Sequence, residues 1–392
     1  MRPGRTIVVA ALGATQTLAW ASSYYLPAIL AEPIAAATGV SQTGFFAIFS
    51  AALLLSALIG PAVGRRIDRH GGRGVLVASN LFFAAGLASL GMAQGPLALV
   101  AAWALLGIGM SVGLYDSAFA ALAMLYGSEA RGAITGITLI AGLASTIGWP
   151  VSAFLDHAIG WRGACFAWAA LHILLGLPAN RFLIPKARLP EPRPLAPDAA
   201  APTAPRGAMG LLAFVFAATW FVTGAMAAHL PRLLEGAGVS AAAAPLLAGL
   251  VGAAQVAARF VEFSVLRWVH PLNSARFAAI LHPIGACVLI LFGAPAAAAF
   301  ALLHGAGNGM LTIAKGTLPL ALFGPIGYGL RSGILAAPAR AAQAAAPLLF
   351  GLFLDRLGEG ALAVSTALSL AAFLALLGLQ PRRAAAAPAV SA

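Results

Sequence analysis

Apolar positions in this chain come in long unbroken runs. They show neither the alternation of a soluble strand nor the one-sided stripe of a soluble helix. Runs of about 18 or more apolar residues read as membrane helices. Drawn this way, the spans are 6–30, 42–63, 74–94, 97–126, 132–155, 161–183, 208–232, 244–268, 274–293, 296–322, 331–354 and 360–380, twelve in all. Helices are required, because irregular backbone facing lipid would leave N–H and C=O groups unpaired. The first run is too long for a signal h-region and no clean cleavage site follows it, so it reads as a retained first helix.

Composition agrees. Of 392 residues, 61% are hydrophobic and 9% charged, against about 25% charged in soluble domains. The mean hydropathy is +0.93. A soluble enzyme, a disordered chain and a fibrous repeat are excluded. Cys165 and Cys287 lie inside apolar runs and read as packing residues, with no disulfide framework.

The net charge of +12 is distributed by loop. Of 23 Lys and Arg residues, seventeen fall on one side of the predicted spans, three (Arg162, Arg232 and Arg356) on the other, and three inside spans. By the positive-inside rule both termini face the cytoplasm, as in a multi-pass protein of the bacterial inner membrane. Positive charge spread over so many loops is topogenic, so nucleic acid is not an expected partner. The long connection 185–207 is rich in Pro, Ala and Arg and has linker composition. It divides the chain into a half at 1–183, a cytoplasmic linker at 184–207 and a half at 208–380, with a disordered tail at 381–392. Weak repeats favour this division. Arg131-Gly132-Ala133-Ile134 is echoed by Arg331-Ser332-Gly333-Ile334, and Phe154-Leu155-Asp156 by Phe353-Leu354-Asp355.

The most specific stretch is GRRIDRHGGR at 64–73. Gly64 permits close helix approach, Asp68 can meet a cation or the dipole of a neighbouring helix, and Gly71 allows a sharp turn. The stretch resembles the cytoplasmic signature of the major facilitator superfamily, G-x-x-x-D-R-x-G-R-R/K, at Gly64, Asp68, Arg69, Gly71 and Arg73. Gly72 replaces the usual first Arg. The resemblance implies an all-α membrane protein of twelve transmembrane helices in two pseudo-symmetric six-helix halves, with Asp68 and Arg69 as a gating latch. Two features depart from drug/proton antiporters: Trp103 stands four residues before Gly107, and the fifth span reads Gly148-Trp149-Pro150-Val151-Ser152-Ala153. Gly160-Trp161-Arg162-Gly163 loosely resembles the monocarboxylate-porter branch.

Ionisable residues inside spans cost about 2.5–3.5 kcal/mol on insertion scales and are functional candidates by default. Gln255, Arg259 and Glu262 share a face of the eighth span. Arg259 offers a fork for a carboxylate, and Glu262 is placed to neutralise it. Monocarboxylate transporters resemble this in placing an Arg near an acid on helix eight. His304, Asn308, Thr312 and Lys315 form one stripe on the tenth span, and Arg340 lies deep in the eleventh near Gln343. Gln16, Trp20, Ser23 and Tyr24 share a face of the first span that reads either as a cavity wall or as aromatic packing. Asp116 in the fourth span is a proton carrier or a partner for a cation. His172, His229 and His282 are lone residues on apolar stretches and read as packing or hydrogen-bonding residues.

No phosphate loop, metal spacing or catalytic triad occurs, so neither an enzyme nor a cofactor is expected. The resulting expectation is a secondary transporter of a small organic anion. Arg259, Arg340, Lys315, Asn308, His304, Gln16, Trp20 and Tyr24 would bind substrate, and Glu262 and Asp116 are the proton-coupling candidates. The alternative is an efflux pump for lipophilic compounds. The expected partners are the bilayer, a small molecule and protons, with the chain working as a monomer.

Overall fold

The computed structural model describes residues 4–187 and 207–380. The expected tail at 381–392 and most of the expected linker therefore lie outside the described residues. Within them the chain is helical, with no strand. The helices are α1 (Arg5–Ser22), α2 (Pro27–Thr38), α3 (Gln42–His70), α4 (Gly72–Gly91), α5 (Pro96–Gly113), α6 (Tyr115–Tyr126), α7 (Ala130–Ala141) and α8 (Ala144–Leu171). After residue 207 come α9 (Ala208–Gly236), α10 (Ala244–Ser264), α11 (Pro271–Phe292), α12 (Ala297–Phe323), α13 (Tyr328–Leu357) and α14 (Ala361–Leu377).

Among the described residues, eight helical stretches are long and apolar enough to cross a bilayer. One of them, Pro96–Leu183, has 88 residues, several times the roughly 20 that a single pass needs. It reverses where Gly160 adopts φ +72°. Leu97, Leu58 and Phe154 are among many large apolar side chains left exposed, as lipid-facing residues must be.

Three predicted spans are broken where the sequence reading draws one helix. Residues 23–26 separate α1 from α2, Leu114 separates α5 from α6, and Gly142–Leu143 separates α7 from α8. Each break frees backbone groups that apolar surroundings cannot solvate. At Gly113 the Gln16 amide of α1 donates to the carbonyl.

Arginines counted above only as orientation signals also close helix ends. Arg162 donates to the carbonyls of Gly91 and Ala93 at the end of α4. Arg276 reaches the last carbonyls of α14, and Arg331 those of α12. A cation there satisfies orphan C=O groups and opposes the helix dipole.

The helices before residue 187 meet those after 207 chiefly where α3 and α6 pack on α13 and where α7 packs on α10 and α12. The α3–α13 contact is built from glycine on both sides. A methyl at Gly64 would overlap the Gly329 carbonyl, and one at Gly333 would lie 2.6 Å from the Gly60 carbonyl. Small residues spaced by four let two backbones touch, and this places Asp68 against the start of α13.

Candidate functional site

The centre of the molecule holds one acid between two cations. Asp116 sits in the first turn of α6, beyond the break at Leu114. Its carboxylate lies 2.9 Å from Lys315 Nζ on α12 and 2.7 Å from Arg340 Nη2 on α13. All three side chains are buried. Arg340 also donates to the Ser56 hydroxyl of α3, and the Lys315 ammonium lies 5.0 Å from the centre of the Trp220 ring. A cavity of about 290 Å³ runs from Asp116 and Arg340, past Ser56 and Ser111, to Gly64 and Gly329.

Arg259 is 6% exposed and forms no ion pair among the described residues. Its guanidinium packs on Gly142, where a methyl would overlap it. One amino group lies 3.4 Å from Gln255 Oε1, and Nε meets no acceptor. The expectation that Glu262 neutralises Arg259 is corrected here: Glu262 Oε1 lies 3.3 Å from Arg131 of α7, which also donates to the Leu266 carbonyl. Side chains on a helix lean toward its N-terminus. Arg259 therefore reaches back toward Gln255, while Glu262 stands where α7 brings Arg131.

The Arg131–Glu262 pair and Asp68 act at the same end of the molecule, that of the 64–73 loop. Asp68 accepts from the backbone N–H groups of Gly329 and Leu330, both at 2.8 Å. These are orphan donors in the first turn of α13, whose own N-cap, Gly327, supplies no side chain. A carboxylate from another helix thus caps α13, with the favourable sign of charge for the dipole. Gly71, at φ +81°, makes the turn between α3 and α4. Gly72 occurs where the signature has Arg because a methyl there would already overlap Ala121. Of the two residues of the expected latch, Asp68 reaches α13. Arg69 is exposed and pairs with no acid among the described residues.

The first-span face is partly a wall and partly a tie. Trp20 packs at 5.3 Å from Tyr24, 6.0 Å from Tyr25 and 5.0 Å from Tyr115. The Tyr24 hydroxyl accepts from Gln343 of α13 at 2.8 Å. Sequence reasoning missed Tyr25, Tyr115, Ser56, Trp220 and Arg131. The position of Tyr115 beside Asp116 was the one signal that could have pointed to it.

The tenth-span stripe is divided. Lys315 joins the central cluster, but His304 and Asn308 line a second cavity of about 290 Å³ with Thr223, His282 and Ser369. There Ser365 donates to the Leu362 carbonyl and lies 3.1 Å from His282 Nε2, and the two Nδ1 atoms of His282 and His304 are 3.0 Å apart. With the Ser365 proton used, His282 donates from Nε2 and accepts at Nδ1 from His304. His282 is thus a hydrogen-bonding residue, and His304 is its partner.

No curated protein matches the chain in sequence. Among solved structures it is similar to the human organic anion transporter MFSD10 (TETRAN), with 18% identity and a TM-score of 0.75 over 96% of this chain and 100% of that one. It is also similar to the E. coli fucose:proton symporter, with 14% identity and a TM-score of 0.70 over 95% and 98%. A FucP structure in the outward conformation gives 14% and 0.71 over 94% and 98%. At such identities these likenesses speak for the fold. The sequence model of the Major Facilitator Superfamily matches residues 12–311. That match covers well over half of the chain and includes the 64–73 loop and the Asp116 cluster's first member, and the chain belongs to the Major Facilitator Superfamily.

Proposed function

We propose that the chain is a secondary active transporter that moves a small, monocarboxylate-like organic anion by alternating access. The observation that carries this reading is the balance of buried charge. Asp116 faces both Lys315 and Arg340, and Arg259 has no acid. With the Arg131–Glu262 pair set aside, three buried cations stand against one buried carboxylate. A buried charge without a partner is strongly destabilising, and an anionic substrate supplies what is missing. Guanidinium forks suit a carboxylate's two oxygens. The human structural neighbour named as an organic anion transporter lends the reading support.

Residues 1–183 and 208–380 act as two six-helix units joined by the linker 184–207, twelve spans in all. Both termini are cytoplasmic, in a bacterial-type inner membrane. Asp68 at α13 and Arg131 at Glu262 hold the cytoplasmic ends together, and the opposite movement releases them. Asp116 occupies the anion's place when substrate is absent. A proton on Asp116 removes its charge and frees both cations, which couples anion and proton movement. The Trp20 wall favours one second reading, efflux of lipophilic compounds.

The test is uptake of small carboxylates into proteoliposomes by Arg259→Lys and Arg340→Lys. Both keep the charge and lose the fork. We expect at least a roughly 10-fold loss of apparent affinity with normal membrane insertion. Unchanged carboxylate affinity in both variants, or a parent that carries only neutral or cationic compounds, overturns the reading.

A further inference from the structure

Around Arg259 the structure gathers hydrogen-bond donors that have no acceptor. The Arg259 Nε–H and the Trp20 indole N–H are both buried without a partner. The hydroxyls of Tyr25 and Tyr115 make no hydrogen bond among the described residues, and the Arg259 guanidinium packs on Gly142, two residues after Ile140, whose carbonyl accepts from Thr17 of α1. Indole and guanidinium groups donate only, and a native interior leaves few buried donors unpaired. Two such buried donors, on α1 and α10, with two unbonded hydroxyls on the α1–α2 break and α6, describe a site whose occupant brings the acceptors.

The same groups are mostly aromatic. Trp20 lies 5.0 Å from Tyr115 and 6.0 Å from Tyr25. Tyr25 meets Trp149 edge-on at 5.9 Å, and Trp149 is 43% exposed. The box therefore has an acceptor-seeking floor at Arg259, flat walls and an exposed aromatic rim. A short aliphatic acid would satisfy the floor and leave the walls unused.

Resting on the anion reading above, we infer that the substrate's carboxylate is carried on a flat aromatic body. Arg259 and the Trp20 N–H hold the carboxylate, the Tyr25 and Tyr115 hydroxyls donate to its remaining lone pairs, and the ring packs on Trp20, Tyr25 and Tyr115.

The experiment is equilibrium binding of four probes to the purified full-length chain in nanodiscs. Benzoate and cyclohexanecarboxylate share charge and size but differ in flatness. Benzamide is flat and neutral, and acetate is charged without a ring. We expect benzoate to bind about 10-fold tighter than cyclohexanecarboxylate, since aromatic pairs add to area burial, with acetate weaker still and benzamide undetectable. Trp20→Leu should erase the preference for benzoate while some carboxylate binding remains. Tyr25→Phe and Tyr115→Phe keep the rings and remove only the hydroxyls. Each should weaken benzoate about 3- to 10-fold at unchanged melting temperature. Equal binding of benzoate and cyclohexanecarboxylate overturns the aromatic inference and leaves the anion reading standing. Binding of benzamide as tight as that of benzoate, or no binding of any carboxylate, overturns both.

Discussion

Replacing Asp68 with asparagine tests whether a single carboxylate holds the 64–73 end closed. In the structure Asp68 Oδ1 accepts from Gly329 N and Oδ2 from Leu330 N, each at 2.8 Å. Hydrogen bonds to a charged group contribute about 1.5–3 kcal/mol each. Placing the charge at a helix N-terminus adds about 0.3–1 kcal/mol. Asparagine keeps one acceptor oxygen, so the change removes one bond and the charge. Asp68 is half-buried, which lowers the charge contribution, and about 2 kcal/mol remains. That is roughly 30-fold in the ratio of closed to open forms. A ratio of about 100 would fall to about 3, so the open form becomes directly visible. Spin labels at Arg66 and Ile326, both exposed, would report it by pulsed EPR in a background with Cys165 and Cys287 replaced. The expected result is a second, longer distance in Asp68→Asn that the parent lacks, at an unchanged melting temperature. Identical distance distributions in parent and variant would refute the capping argument.

Four further outcomes are expected. Gly64→Ala raises helix propensity by about 1 kcal/mol yet places a methyl on the Gly329 carbonyl; the protein should stay folded while an engineered cysteine in the loop cavity becomes reactive. Gly142→Ala fills the space of the Arg259 guanidinium and should weaken carboxylate binding at least about 10-fold, measured by titration, with insertion intact. Asp116→Asn leaves Lys315 and Arg340 facing each other without a counter-charge, a loss of about 3–5 kcal/mol; calorimetry should show a lowered melting temperature that added carboxylate partly restores. Nitrogen-15 NMR should find His304 protonated at Nδ1 and His282 at Nε2, as the direction of the Ser365 bond requires.

The sequence carried the helical membrane architecture because lipid leaves the chain no other way to satisfy its backbone. It also carried the central ions, because buried charge is rare enough to stand out at Asp116, Arg259, Lys315 and Arg340. What it did not carry are the partnerships. Asp116 and Lys315 are 199 positions apart and Asp116 and Arg340 are 224 apart, and no local pattern ties them. Helical spacing put Arg259 and Glu262 on one face but could not say which neighbour each would meet. Arg131 lay outside the predicted spans as one more topogenic charge, yet it takes the Glu262 carboxylate. The broken spans were invisible for a related reason. Leu114 looks like any other apolar residue, and the Gln16 amide that accepts the burden of the break comes from 97 positions away. His304 shared a stripe with Lys315 in projection, but eleven residues of helix span about 16 Å, enough to put the two in different cavities.

The central claim is that the positive centre exists to carry an organic anion. The most direct measurement is uptake into proteoliposomes made with the purified chain, comparing labelled carboxylates with their neutral amides and with cationic dyes of similar size. The account predicts saturable uptake of carboxylates alone, lost in Arg259→Gln and in Arg340→Gln although both variants insert. Saturable uptake of the amides or dyes, unaffected by either substitution, would contradict it.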